Sequence, residues 1–242
     1  MNKLPINLAK YVVTLRKFNG QAVYLLGTAH VSERSVNQVT ELIKLVKPSG
    51  VFVEVCDQRR AICEEDEESL PKEEESFSDI IEQYRSGQAN AFTLVYRYIM
   101  KAYNLKPGGE FKAAAASARE LKVPVILGDR MVGITMMRLW NGLTAWQKTK
   151  LIMEMLPVPT FNSSSEGGMQ SLEEKDVNDF LDRSDLITAE VRRMGKKFPW
   201  LVEVLIHERD KYMVLELEQL EQGDVVAVVG AGHVAGMTQF WE

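Results

Sequence analysis

Two Gly-x-x-His tetrapeptides, Gly27-Thr28-Ala29-His30 and Gly230-Ala231-Gly232-His233, stand near opposite ends of a 242-residue chain, each at the close of an apolar run. Two further apolar runs stop in the same manner, FVEVC at 52–56 and ILGDR at 126–130. Neutral imidazoles beside carboxylates are ligands suited to zinc, manganese, iron or cobalt, and Glu54, on an otherwise apolar run, is a natural third member for His30 and His233. An ion held there would lower the pKa of a bound water toward neutrality and so prepare a hydrolytic nucleophile. Glu54 or Glu208 would then act as ligand or general base. The competing reading is that Glu54 simply meets solvent or an arginine. An ionised glutamate inside a sheet needs a cation or a network of donors, because isolated burial is costly.

The elements that must position these groups can be read from the same runs. Residues 11–15 and 22–26 flank Asn19-Gly20, a pair that tolerates positive φ at both turn positions, so an N-terminal hairpin is expected. Ser32 can cap a helix in which Val36, Val39, Ile43 and Val46 recur at helical spacing until Pro48 and Gly50 end it. Strands follow at 51–55, 125–127 and 224–229, and an Ala-rich, close-packing helix at 110–121. One or two helices are expected at 134–156, an amphipathic helix at 172–194, and one long helix at 200–222 closed by Gly223. In that last helix Leu201, Leu205, Glu208, Tyr212 and Leu215 share a stripe, which points Glu208 inward and leaves His207 on the surface. Arg130 or Arg209 can pair with Glu110, Asp129 or Glu208 in a partly buried network, whose plainer role would be to fix helix to sheet.

The pattern is α/β: a mostly parallel central sheet with an N-terminal hairpin, flanking helices and a helical insertion or lid, forming a single domain over residues 1–242. In such a sheet ligands bind outside the carboxyl ends of the strands, so the four strand ends are expected to converge, with Gly27 and Gly230 turning the chain sharply off its strands. The insertion spans 60–107 and opens with an acidic loop, since eight of the twelve residues at 64–75 are acids that repel one another. A second helical region covers 131–198 and contains a mobile connection at 157–168, rich in Pro, Ser, Asn and Gly, where a lid over the pocket can hinge.

A formal net charge of −5, with no compensating Lys/Arg cluster, gives no electrostatic footprint for nucleic acid. Two cysteines, Cys56 and Cys63, make a disulfide framework implausible and point to a reducing compartment. No secretory leader and no stretch of ~20 apolar residues is present, so the chain as given reads as soluble. Its end at Phe240-Trp241-Glu242, directly after a strand and its turn, resembles a trimmed terminus, leaving room for a C-terminal membrane segment.

GTAHVS at 27–32, VEVC at 53–56, GGEF at 108–111, GDR at 128–130, ERD at 208–210 and GAGH at 230–233 together resemble the TraB family, which includes the PrgY pheromone-shutdown proteins and is related to the Tiki proteases. The resemblance runs from about residue 24 to 236 with all motifs in family order, and the eukaryotic TraB domain-containing branch fits best. It implies a metal-dependent hydrolase, peptidase-like, with a peptide or small-molecule substrate. Manganese or cobalt is the favoured ion and zinc an alternative, held by His30, His233 and Glu54. Glu110, Asp129, Arg130, Glu208, Arg209 and Asp210 match further family motifs and are placed in the same pocket without fixed roles. The family's wider fold relatives include haem-binding and esterase-like proteins, so the scaffold does not dictate the chemistry. Eukaryotic members further imply a cytosol-facing protein on an organelle membrane such as the mitochondrial outer membrane. This keeps open a non-catalytic adaptor or small-ligand-sequestering module with a membrane-contact protein partner.

Overall fold

The computed structural model describes residues 4–28, 33–64, 82–83, 86, 109–155, 195–196, 198–221 and 223–241. The acidic stretch beyond Glu64, almost all of the insertion, the connection at 157–168, the amphipathic helix at 172–194 and the capping Ser32 lie outside them.

A short helix α1 (Ile6–Ala9) leads into β1 (Val12–Arg16), which pairs antiparallel with β2 (Ala22–Thr28). The hairpin forms as expected, but only Gly20 of the turn pair takes a positive φ, +86°. Lys17 accepts from the Gly20 N–H and donates its own to Gln21, so the loop is a turn closed by a left-handed glycine rather than a two-residue turn.

Helix α2 (Glu33–Val46) ends at Lys47, and β3 (Gly50–Val53) follows. A 3₁₀ segment (Asp57–Cys63) comes next; after the insertion come α3 (Gly109–Leu121), β4 (Val125–Leu127), α4 (Val132–Gly142) and α5 (Ala145–Met155). The C-terminal part holds α6 (Pro199–Val202), a π turn (Glu203–His207), α7 (Glu208–Glu218), β5 (Val225–Gly230) and α8 (Ala231–Phe240).

The sheet order is β1-β2-β5-β3-β4, and β2, β5, β3 and β4 run parallel. The strands joined by α2 are therefore parallel, yet β5 lies between them. All six residues of β5 are buried, as a central strand covered on both faces requires. Val226 and Val228 face one core with Val39, Leu42 and Ile43 of α2 and Ala114, Ala115 and Ala118 of α3. Val225, Ala227 and Val229 face the other with Met213, Val214 and Leu217 of α7 and Met237 of α8. The alanines let α3 approach closely, which is what an Ala-rich helix is suited to do. A third cluster joins Met136, Leu139, Leu143 and Leu151 to Phe198, Leu201 and Val204. Cys56 and Cys63 are both free and buried. None of the described helices is long and apolar enough to cross a membrane.

The expected long helix differs in one respect that matters for the site. The Glu208 N–H reaches back five residues to the Glu203 carbonyl, a π turn that inserts one extra residue and rotates everything after it. The single stripe through Leu201, Leu205, Glu208, Tyr212 and Leu215 is thereby broken. Leu201 is buried before the turn, Val204 within it, and Asp210, Met213, Val214 and Leu217 after it, while Leu215 is 57% exposed. The helix also ends at Glu218, and Gly223 serves the entry to β5 with φ +74° instead of closing the helix.

This phase shift is directly testable by urea denaturation. Leu217→Ala is expected to cost about 2–5 kcal/mol as a buried truncation. Leu215→Ala should stay within about 0.5 kcal/mol. A reversed ranking would restore the uninterrupted stripe.

Candidate functional site

Parallel pairing brings the four strand ends to one edge. Thr28, two residues before His30, is paired with Gly230. The Glu54 N–H is bound to the Val228 carbonyl at 3.1 Å, Gly128 N–H to Val53 at 3.0 Å and Asp129 N–H to Val55 at 3.3 Å. Glu54 and Asp129 thus leave neighbouring strands side by side. His30 lies outside the described residues. The two motif glycines do not make sharp turns: Gly230 is extended, with φ −60° and ψ 139°, and Gly27 lies within β2. Gly27 is needed for close approach, because a Cβ there would fall 2.7 Å from Val234 Cγ2.

At the centre of the edge sits the Arg209 guanidinium. It donates to Asp129 through Nε at 2.9 Å and Nη2 at 3.0 Å, and Nη2 also donates to Glu54 Oε1. Its Nη1 lies 3.2 Å from the Leu205 carbonyl and 3.2 Å from His233 Nε2. The other Glu54 oxygen accepts the Gly230 N–H at 2.7 Å, at the positive end of α8. His233, in the first turn of α8, has Nδ1 2.6 Å from Asp210 Oδ1 and Nε2 3.1 Å from Glu54 Oε1. Arg59 from the 3₁₀ segment closes the cluster at 2.8 Å from Asp129 Oδ2. The second oxygen of Asp210 is buried with no hydrogen-bond partner among the described residues.

A second cluster adjoins the first through the π turn. Arg130 donates to Glu208 Oε2 at 2.7 Å, to Thr135 Oγ1 at 3.0 Å and to the Val204 carbonyl at 3.0 Å. Arg138 of α4 grips Glu208 with Nε at 2.7 Å and Nη2 at 2.6 Å. Glu208 therefore faces α4, and the pocket expected to hold all these residues consists of two ionic clusters. Val204 and Leu205, in the π turn, each give a carbonyl to an arginine of one cluster. The irregular turn so supplies acceptors that a continuous helical ladder would use internally.

These contacts set the charge states. Burial alone would lower the His233 pKa, but the Glu54 charge and the hydrogen bonds to Asp210 and Glu54 outweigh it and the opposing Arg209, raising it to about 9. Arg209 is opposed by burial in the same way and held firmly charged by Asp129 and Glu54. The Arg138 hydrogen bonds, with that of Arg130 and against burial, lower Glu208 to about 2. A carboxylate so strongly held is a weak base at neutral pH.

The expected partnerships of Arg130 and Arg209 are thus realised with Glu208 and Asp129. Glu110 is buried in the first turn of α3, and His207 is exposed. The cation beside Glu54 is an arginine, the alternative that the sequence had left open. Among the described residues no group of three or more His, Cys, Asp or Glu is arranged to hold a metal ion. Two participants carry no motif signal: Arg59, on an unanticipated 3₁₀ segment, and Arg138, on the exposed side of α4.

The described strands, helices and converging charged side chains define an α/β fold with a charge-dense cluster at the strand ends. A model of the TraB/PrgY/gumN family matches residues 12–242, and the chain belongs to that family. It is 32% identical over 237 residues to an uncharacterized protein of Methanocaldococcus jannaschii, covering 93% of this chain and 55% of that protein. It is 30% identical over 266 residues to the TraB domain-containing protein of Homo sapiens and 31% identical to that of Mus musculus, covering 97% of this chain and 66% of each. The chain thus spans less than two thirds of the length of these relatives.

Two outcomes follow from the geometry. Folding raises the His233 pKa, so its contribution to stability is complete below the ordinary 6.5 and is lost as pH rises to about 9. In metal-free buffer the melting temperature should fall across that window, and His233→Gln should flatten the fall. Separately, a Cβ at Gly236 would lie 2.0 Å from Asp210 Oδ2. Gly236→Ala is expected to displace Asp210, lower the imidazole pKa seen by ¹⁵N NMR, and cost about 1–3 kcal/mol of stability.

Proposed function

We propose that the strand-end pocket is the active site of a divalent-metal-dependent hydrolase, peptidase-like in its chemistry. One observation carries the reading: His233 is locked by Asp210 at Nδ1 and presents Nε2 3.1 Å from Glu54 Oε1. With metal–ligand bonds of ~2.0–2.2 Å, neighbouring ligand atoms around one ion stand about 3.0–3.5 Å apart, so this pair fits. The carboxylate–imidazole arrangement is the usual support for a metal-ligating histidine. The register adds that Thr28, just before His30, is paired with Gly230. His30, His233 and Glu54 would hold the ion; manganese or cobalt suits the family and zinc the donor set.

The ion, when bound, supplies a Lewis acid and a water of lowered pKa. The remaining work belongs to the chain. Asp210 fixes the imidazole orientation, and the Gly230 N–H fixes one oxygen of Glu54. Glu54 is the carboxylate placed to ligate or to take a proton. Glu208, held ionised by Arg138 and Arg130, fits a positioning role better than that of base, and Arg130 and Arg209 fit the binding of an anionic group on the substrate or intermediate. Glu110 remains a candidate without a fixed role.

A second reading, a non-catalytic ligand-binding or adaptor module, is favoured by one observation: Arg209 already neutralises Glu54, so the buried carboxylate needs no metal to explain it. Titration of metal-stripped protein with manganese, cobalt and zinc, followed by calorimetry and by cleavage of a peptide library, separates the two. Saturable binding lost in His30→Ala and His233→Ala is expected. Because His233 must shed its proton to ligate, affinity should rise about tenfold per pH unit until about pH 9. Identical behaviour of wild type and both variants removes the metal site and leaves the adaptor.

A further inference from the structure

We infer that the outer flank of α4 is a docking ledge for the carboxy-terminal end of a peptide, with the free carboxylate on Arg138 and the preceding apolar side chains on Ile134 and Met131. The inference concerns binding alone, needs no metal, and goes beyond the hydrolytic reading above. Thr135, Met136 and Leu139 are the buried residues of α4. Met131 at the N-cap, Ile134 and Arg138 follow at spacings of three and four and share a different flank of the helix. Met131 and Ile134 are 41% and 40% exposed and belong to none of the three cores. The Arg138 side chain beside them is 49% exposed.

Charge, closure and length select the occupant. Arg130 and Arg138 both hold the single charge of Glu208, so this cluster keeps one positive charge in excess. Arg138 meets Glu208 through Nε and Nη2, and its Nη1 makes no hydrogen bond among the described residues, which leaves an open edge for a second carboxylate. The ledge is closed one turn further on. Trp200 lies against Gly142, where a Cβ would fall 1.9 Å from the indole Nε1, and that Nε1 donates to the Arg138 carbonyl at 3.2 Å. An indole seated just past the guanidinium stops a chain that reaches it, which suits a terminus and not a passing segment. From Met131 to Arg138 the helix rises ~10 Å, the span of about three extended residues. Met131 directly follows Arg130, so a peptide anchored by its terminal carboxylate leads its preceding residues toward the strand ends.

The test is fluorescence anisotropy of the peptide Gly-Ser-Leu-Ala-Leu, labelled at its amino end with fluorescein and ending in either a free carboxylate or an amide, titrated with the full chain in EDTA. The free acid is expected to bind about five- to tenfold tighter than the amide, the worth of one charge-assisted hydrogen bond. Arg138→Gln should abolish that preference and Arg138→Lys retain part of it. Ile134→Asp should weaken both peptides. Equal affinity for acid and amide, no binding of either, or a preference that survives in Arg138→Gln overturns the inference. Because Arg138 also holds Glu208, a further measurement uses the unaltered protein: added salt should narrow the preference, since the guanidinium is half exposed, and a preference indifferent to salt overturns the inference. Sedimentation in which wild type dimerises and Ile134→Asp does not would assign the ledge to a second copy and likewise overturn it. EDTA keeps every outcome separate from the metal reading, which stands or falls on its own titration.

Discussion

The pairing of Arg209 with Glu54 and Asp129 is the interaction on which this pocket rests. Two buried carboxylates emerge from the ends of adjacent strands, and each would be costly there without a partner. Arginine is suited to the task because a planar fork can meet two acids at once, where an ammonium meets one point. That one side chain ties β3, β4 and the helix bearing the guanidinium into a single electrostatic unit, with α8 joined through Gly230 and His233. Removing it would leave Asp129 to Arg59 alone and Glu54 to His233 and the Gly230 N–H, so the fold and the site are not separable here.

The π turn is the backbone counterpart of that pairing. It places Arg209 toward the strand ends, Glu208 toward α4 and Asp210 beneath His233, three successive residues serving three different partners. A regular helix would spread adjacent side chains about 100° apart as well. The extra residue sets the phase at which those directions meet the sheet, and gives Val204 and Leu205 carbonyls to the two arginines.

Much of this was legible in the sequence, for physical reasons that can be named. Strands that are buried on both faces read as unbroken apolar runs, so their polar terminations at His30, Glu54, Asp129 and His233 stood out. The family motifs also held, since the chain matches the TraB/PrgY/gumN family across residues 12–242. The insertion of β5 between β2 and β3 was not legible, because nothing local in either strand records which neighbour it will accept. The π turn was equally hidden: one added residue changes no composition, and Leu215 and Leu217 are interchangeable in a periodicity argument. Arg59 and Arg138 look like ordinary surface arginines until the tertiary fold brings acids to them.

The sheet order has a kinetic side. β5 is last of the five strands in the chain, yet its position is in the middle of the sheet. Until it emerges from the ribosome, β2 and β3 have no common partner, and each presents an unsatisfied edge that another chain can pair with. Closing the sheet requires contacts between segments some two hundred residues apart, the kind of non-local docking that slows folding. The central strand is thus the last to be made and the one whose pairing is most non-local, which makes its docking the step that the topology slows most.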